Sequence, residues 1–206
     1  GYTLAQYARR GFFEMAWLSL INLGLMCLAM GLVEKKTGVP ALTRGLCLFL
    51  GLAALFLIAA ASAKMLLYID GYGLTRKRVL TEIFMLWLGA TTILVSVWLF
   101  KPRFPYMKGA VICALILGCV TFWADVDTQV ARYNVHAYQS GQLETIDMRH
   151  MSCLGDGALP YIKELTQDSD PKVASSAMDI LENSYCSISD FRSWTYTESA
   201  ARKAVD

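Results

Sequence analysis

Four long apolar segments occupy the first 125 residues of this 206-residue chain, and a polar segment of about 80 residues follows them. The apolar segments cover approximately residues 12–33, 46–69, 83–100 and 109–124. About 20 helical residues cross a hydrocarbon core of about 30 Å, and backbone groups in lipid must be paired within the segment. Because short connections favour antiparallel neighbours, the pattern predicts an all-α protein, a four-span antiparallel transmembrane helical bundle with a small helical C-terminal domain.

The boundary between these two parts is predicted at residues 125 and 126, and the polar tail itself shows helical periodicity. In residues 126–140 one face carries a stripe of apolar side chains, which are Val126, Val130, Tyr133 and Ala137. Asp125 is a candidate N-cap and Gly141 a candidate stop signal for this helix. Residues 157–185 predict a helical hairpin, whose second helix begins with a capping Asp170 and Pro171. A single hairpin of this kind is typical of a packing or docking module.

Composition and motifs exclude several function classes. The chain is 55% apolar, 17% charged and carries a formal net charge of +2, without a basic run interleaved with aromatic residues, so we expect membrane lipids and no nucleic acid as partners. Phosphate-binding glycine loops, hydrolase elbows and zinc-ligand spacings are missing from the sequence. We therefore predict no catalytic residue, no metal site and no cofactor, which favours a non-enzymatic protein.

Charged residues of both signs concentrate at one end of the predicted bundle, the end from which the tail emerges. The candidate ligand- or lipid-binding residues there are Arg10, Glu14, Lys64, Asp70, Arg76, Arg78, Asp125 and Asp127. Glu14 and Lys64 lie inside apolar segments at similar depth, which permits an ion pair, and a charge within the membrane is by default a functional hypothesis. The alternative is structural anchoring, in which Lys64 extends its ammonium to the interface and Glu14 favours a helix N-terminus.

Three further patterns carry alternatives. Asp125 and Asp127 form a D-x-D pair, which can hold a divalent cation and through it a lipid phosphate, or can simply cap a helix. The Arg76–Arg78 cluster fits anionic lipid head groups or an ordinary membrane flank. Asn22 lies in the middle of the first apolar segment, where its carboxamide can form a hydrogen bond between helices, which we favour, or belong to a site.

Cysteines supply a weak indication of orientation. Cys153 and Cys186 flank the predicted hairpin, so that antiparallel packing would bring them together for a disulfide. Such a bond would place the C-terminal tail in an extracytoplasmic, oxidising compartment, whereas two thiols would fit a reducing one. Lys and Arg are nearly balanced between the two membrane faces, so that the positive-inside rule does not decide the orientation.

Three local patterns resemble bacterial multi-pass membrane proteins of unknown function, of the DUF4173/DUF4153 type, in their C-terminal half. They are Tyr7–Glu14, Lys64–Arg78 and Asp125–Asn134, and a late Phe191–Trp194 segment agrees with them. Within the second pattern, the Tyr-Gly-Leu-Thr turn with its basic flanks is the most specific element. The chain departs from the family pattern in having Lys64 where Arg is expected and Asp125-Val-Asp where Asn-x-Asp is expected.

The resemblance implies a bacterial cytoplasmic membrane, additional spans upstream and no established activity. Because the chain opens without Met, we expect a processed or truncated N-terminus. Three functions remain open: a non-enzymatic subunit or scaffold of a membrane complex whose tail docks a partner; a transporter or lipid-handling protein with a polar pocket near Glu14, Lys64 and Arg76; and an enzyme acting on a lipid-linked substrate through Asp125 and Asp127. The expected partners are lipids and other membrane subunits or upstream spans.

Overall fold

The structure is a computed structural model that describes the backbone of residues 4–32 and 39–188 and the side chains of residues 11–32 and 39–183. Within these residues the secondary structure is helical and contains no strand, which confirms the predicted all-α class. The four long helices are α1 (Leu4–Leu32), α2 (Ala41–Tyr72), α3 (Arg76–Phe100) and α4 (Tyr106–Trp123). All four are long and apolar enough to cross a membrane.

Contacts between α1 and α2 show that these two helices run antiparallel. Ser19 Oγ lies 3.5 Å from the carbonyl oxygen of Ala54, and a Cβ built at Gly11 would lie 3.4 Å from Lys64 Nζ. Residue numbers therefore rise along α1 as they fall along α2. Ser19 also donates to the carbonyl of Met15 at 2.8 Å, so that its hydroxyl is satisfied within its own helix.

The helices α2 and α3 pack closely through small residues. A Cβ built at Gly51 would lie 3.0 Å from Ser96 Oγ, and one at Gly89 would lie 3.8 Å from Ile58. Because the lipid provides no hydrophobic force between helices, small residues that allow close backbone approach favour their association. The register again runs in opposite directions, as an up-down bundle requires.

The helix α4 is the least enclosed of the four, with 6% of its apolar window buried, against 39% for α3. Tryptophans of α3 hold it: Trp87 Nε1 donates to the carbonyl of Ala110 at 2.9 Å, and the rings of Trp98 and Tyr106 lie 4.5 Å apart. The exposed apolar side chains of α4 fit a lipid environment, because a membrane helix needs no polar outer face.

By its internal contacts the chain divides into two compact units. The first contains the chain up to Tyr68 together with Lys77–Val120, which are the long helices. The second contains Ile69–Arg76, the turn between α2 and α3, together with the chain from Thr121 onward. The turn therefore clusters with the tail.

The second unit has its own apolar core. Its helices are α5 (Val126–Gln139), α6 (Met148–Met151), α7 (Leu159–Glu164) and α8 (Pro171–Ile188), with single 3-10 turns at Asp156–Ala158 and Leu165–Gln167. The buried side chains of this core are Ala131, Val135, Met151, Ala158, Leu159, Ile162, Leu165, Val173 and Ala177. Burial of about nine apolar side chains gives the tail a hydrophobic stabilisation of its own.

The tail helices agree with the sequence pattern at most of their ends. Gly141 follows α5 with a φ of +77°, the left-handed conformation of a helix stop. Asp170 precedes α8, and its Oδ1 accepts from the backbone N–H of Lys172 at 2.9 Å. The first helix expected in the hairpin is shorter than predicted, because a 3-10 turn replaces each of its ends. The short α6 was not predicted, because four residues are too few to show a period.

Candidate functional site

The turn between α2 and α3 is held by one side chain of the tail. Asn134 of α5 is buried and accepts at Oδ1 from the backbone N–H of Leu74, at 2.7 Å. Its Nδ2 donates to the carbonyl of the same Leu74, at 2.8 Å. The carboxamide thus pairs with both backbone groups of a residue 60 positions away. The same contact satisfies the hydrogen-bonding groups of this buried side chain.

Gly73 makes this approach feasible for two reasons. Its φ is +75°, a left-handed conformation that glycine adopts without steric cost. A Cβ at this position would lie only 2.7 Å from Asn134 Oδ1, which is closer than real Cβ contacts. The glycine of the Tyr-Gly-Leu-Thr turn is therefore required by the backbone and by the neighbouring helix together.

A second contact joins the beginning of α3 to the first turn of α5. Arg76 Nε donates to Asp127 Oδ1 at 2.6 Å, and its Nη2 binds Oδ2 of the same carboxylate. The N–H of Gly155 donates to Asp127 Oδ2 at 3.1 Å. We call the set formed by Gly73, Leu74, Arg76, Asp127 and Asn134 the turn clamp. The ion pair between Arg76 and Asp127 is bidentate, and its two parallel bonds fix the relative orientation of the two side chains.

Asp125 stands immediately before α5 in a left-handed conformation, with a φ of 42°. It occupies the N-cap position as predicted, but its carboxylate bonds no backbone N–H there. Instead its Oδ2 accepts from Thr128 Oγ1 at 2.7 Å. Gly157 packs against this pair so closely that a Cβ would overlap Thr128 Oγ1 and come within 2.8 Å of Asp125 Oδ2. The pair is thus part of a tight packing contact.

The geometry of the D-x-D pair bears on its proposed cation chemistry. Both oxygens of Asp127 are bound by Arg76, and one of them also by Gly155. A divalent cation would have to displace the guanidinium to reach this carboxylate. Across the residues that the structure describes, no group of three or more His, Cys, Asp or Glu side chains is arranged to hold a metal ion. The arrangement favours the structural role of this pair.

Asp70 lies next to the turn clamp, near the end of α2. Its Oδ1 accepts from the Tyr133 hydroxyl at 3.3 Å and from Gln142 Nε2 at 3.4 Å. Burial raises the pKa of Tyr133, and the negative charge of Asp70 raises this pKa further. Four of the predicted site residues, Asp70, Arg76, Asp125 and Asp127, therefore lie in the tail unit, where they form three separate contacts.

The remaining candidates lie in the first unit or beyond the described side chains. Lys64 places its ammonium beside Gly11, one helical turn from Glu14, and neither Glu14 nor Lys64 lacks an interaction partner. The Arg78 guanidinium lies 4.2 Å from the centre of the Tyr68 ring, a cation–π distance. The side chain of Arg10 lies outside the described residues.

The predicted disulfide stays a prediction. Cys153 is exposed and its thiol is free, while the side chain of Cys186 lies outside the described residues.

Several polar residues of the site were not singled out by the sequence pattern. Asn134 and Thr128 lie on α5, which the sequence pattern identified from its apolar stripe without assigning a role to its polar side chains. Outside this site, Glu82 lies in the second turn of α3, where its Oε1 is buried without a hydrogen-bond partner among the residues that the structure describes. The available signal for Glu82 was a carboxylate at the border of an apolar run, which is costly without a partner.

An apolar groove lies between α1 and α3 in the first unit. It encloses about 410 Å³ and is lined by Phe12, Phe13, Ala16, Trp17, Leu20, Leu80, Thr81 and Phe84. Because its lining is almost wholly apolar, a hydrocarbon chain is the kind of ligand that it suits.

Replacing Gly73 should disrupt the turn clamp. Gly73→Ala is expected to destabilise the protein by about 2–4 kcal/mol, because alanine is strained at positive φ and displaces the Asn134 carboxamide from Leu74. The matched control is Gly71→Ala in the same segment, where a Cβ meets nothing within 4 Å. Thermal unfolding of the purified chain in detergent measures both variants, and equal midpoints would contradict this account.

Asp127 has its own test. Asp127→Asn should speed the deuterium exchange of the Gly155 amide and lower stability by about 1 kcal/mol, a small value because Arg76 is half-exposed. The neighbouring exposed Asp156→Asn serves as the control and should leave the exchange unchanged. If the exchange at residue 155 is unaltered in Asp127→Asn, the Asp127 carboxylate does not contribute to the turn clamp.

Comparison with protein families gives a match over most of the chain. Residues 1–165 match the family described as "Domain of unknown function (DUF4153)". Comparisons with curated proteins and with solved structures give no significant match. Since the match covers most of the chain, including the four long helices and the turn clamp, the chain belongs to the DUF4153 family.

Proposed function

We propose that this chain is a non-enzymatic subunit, or scaffold, of a membrane complex and that its C-terminal tail docks a partner protein. The observation that carries the proposal is the turn clamp. Two of the candidate ligand-binding residues, Arg76 and Asp127, are bound to each other, and Asn134 is bound to the backbone of the turn. These three side chains attach the tail to the α2–α3 turn.

The charge of the tail indicates what kind of partner it would accept. Residues 126–183 carry nine acidic and four basic side chains, a net charge of −5, although the whole chain carries +2. An acidic surface repels anionic lipid head groups and attracts basic surfaces. The chemistry therefore supports a basic protein as the partner.

The outer face of α8 is the surface that best fits this role. Its exposed side chains at helical spacing are Ser175, Met178, Asp179 and Glu182. Within the described part of α5–α8, Met178 is the large apolar side chain that is exposed. A flexible apolar side chain beside two carboxylates supplies both an anchor and charge for a basic surface.

Charge reversal on this face tests the proposal. We expect Asp179→Lys with Glu182→Lys to reduce the amount of a stoichiometric partner that co-purifies with the chain from native membranes, because like charges would then oppose the basic surface. The control is Glu144→Lys with Glu164→Lys, two exposed glutamates outside α8, which change the net charge equally. An equal loss in both double variants would show a non-specific charge effect and would contradict docking on α8.

A photoreactive amino acid at position 178 gives an independent readout. Under the proposal it forms an adduct with the same partner, whereas one at the exposed Thr145, in the loop between α5 and α6, does not. A chain that purifies alone from native membranes, without any adduct at position 178, would refute the scaffold function.

Lipid handling is a second candidate function, favoured by the apolar groove between α1 and α3. Ala16→Leu should partly fill the groove and lower the number of phospholipids that the purified chain retains in native mass spectrometry. The matched control is Ala59→Leu, on an exposed position of α2 outside the groove. Identical lipid retention in the two variants would argue against a lipid site in the groove.

A further inference from the structure

The helix α1 carries two separate heptad seams, and only the inner one is fully buried within the described structure. The inner seam is buried against the other helices and contains Phe12, Ser19, Leu23, Met26 and Met30. The outer seam follows a strict 3-4 spacing over Met15, Leu18, Asn22, Leu25, Ala29 and Leu32. In heptad terms, Met15, Asn22 and Ala29 take position a, and the leucines take position d.

The leucine side chains of the outer seam are exposed. Leu18, Leu25 and Leu32 are 51%, 46% and 78% exposed, whereas Met15, Asn22 and Ala29 are partly buried by their neighbours. Exposed leucine on a membrane helix needs no explanation by itself, because lipid tails are equally apolar. The outer seam is distinguished by the polar residue at its centre.

Asn22 is the twelfth of the 22 residues in the apolar part of α1, which places it near the middle of the hydrocarbon layer. Among the residues that the structure describes, no hydrogen-bond partner satisfies its carboxamide. A carboxamide facing hydrocarbon without a partner is costly, and asparagine in membrane helices characteristically bonds across to another helix.

We propose that the outer seam of α1 is a dimer interface that pairs with α1 of a second copy of this chain. Two copies inserted in the same membrane have the same orientation, so their α1 helices meet in parallel. In a parallel pair each a position faces the same a position of the partner, which places Asn22 opposite its own counterpart. A carboxamide is both donor and acceptor and is therefore complementary to itself across a two-fold axis.

This interface accounts for the feature that lipid alone leaves unexplained, because it satisfies the carboxamide of Asn22. It also covers the d-position leucines and uses Ala29 for close approach. A single polar a position also fixes the register and the number of helices in such a pair. The inference stands independently of the docking role proposed for the tail, since it involves α1 alone.

The test counts subunits of the full chain in phosphatidylcholine liposomes, by photobleaching of one C-terminal fluorophore over a range of protein-to-lipid ratios. The wild-type chain should show a density-dependent monomer–dimer equilibrium. Asn22→Leu should raise the dimer dissociation constant about three- to twentyfold, and Asn22→Gln, which keeps an amide, should retain most of the dimer. Unchanged circular dichroism and thermal midpoints verify that these variants fold.

A matched pair of leucines locates the interface. Leu25→Ala removes an exposed seam side chain and should weaken the dimer, while Leu52→Ala removes an equally apolar, 67% exposed side chain of α2 and should leave it intact. A chain that is monomeric at every density, a dimer insensitive to Asn22→Leu, or an equal effect of the two leucine variants would overturn the proposal. A different subunit occupying this seam in the native complex would do so as well.

Discussion

The pairing of Asn134 with both backbone groups of Leu74 is the contact on which the arrangement of the tail unit depends. A turn between two membrane helices leaves backbone groups without helical partners, and at the edge of a membrane these groups need replacement bonds. Here the replacement comes from a helix 60 residues later. The contact makes the turn and the tail one compact unit, as their clustering shows.

Three charged residues of this unit are bound within the molecule. Arg76 is neutralised by Asp127, and Asp70 is bound by Tyr133 and Gln142. What remains on the outside of the tail is an excess of acidic residues. The two associations that we propose use different forces, which are charge attraction at the tail and a hydrogen bond within lipid at α1.

The sequence predicted the features that repeat along the chain and missed those that join distant positions. The four spans, the extent of α5 and the beginning of α8 follow from hydropathy, period and capping signals that are local. The turn clamp does not, because no local pattern shows that Asn134 reaches Leu74 or that Gly157 must fit against Thr128. The Tyr-Gly-Leu-Thr turn was recognised as specific from its resemblance to a family, but the reason for its glycine became visible only through its neighbour in space.

The unequal lengths of the membrane helices have a consequence for the surrounding bilayer. At 1.5 Å per residue, the 18 residues of α4 reach about 27 Å, while the 32 residues of α2 reach about 48 Å. A single bilayer thickness of about 30 Å matches α4 closely and is exceeded by α2, which must tilt or project beyond the acyl chains. Acyl-chain length should therefore act on this protein unevenly around its circumference, with thick bilayers straining the α4 side first.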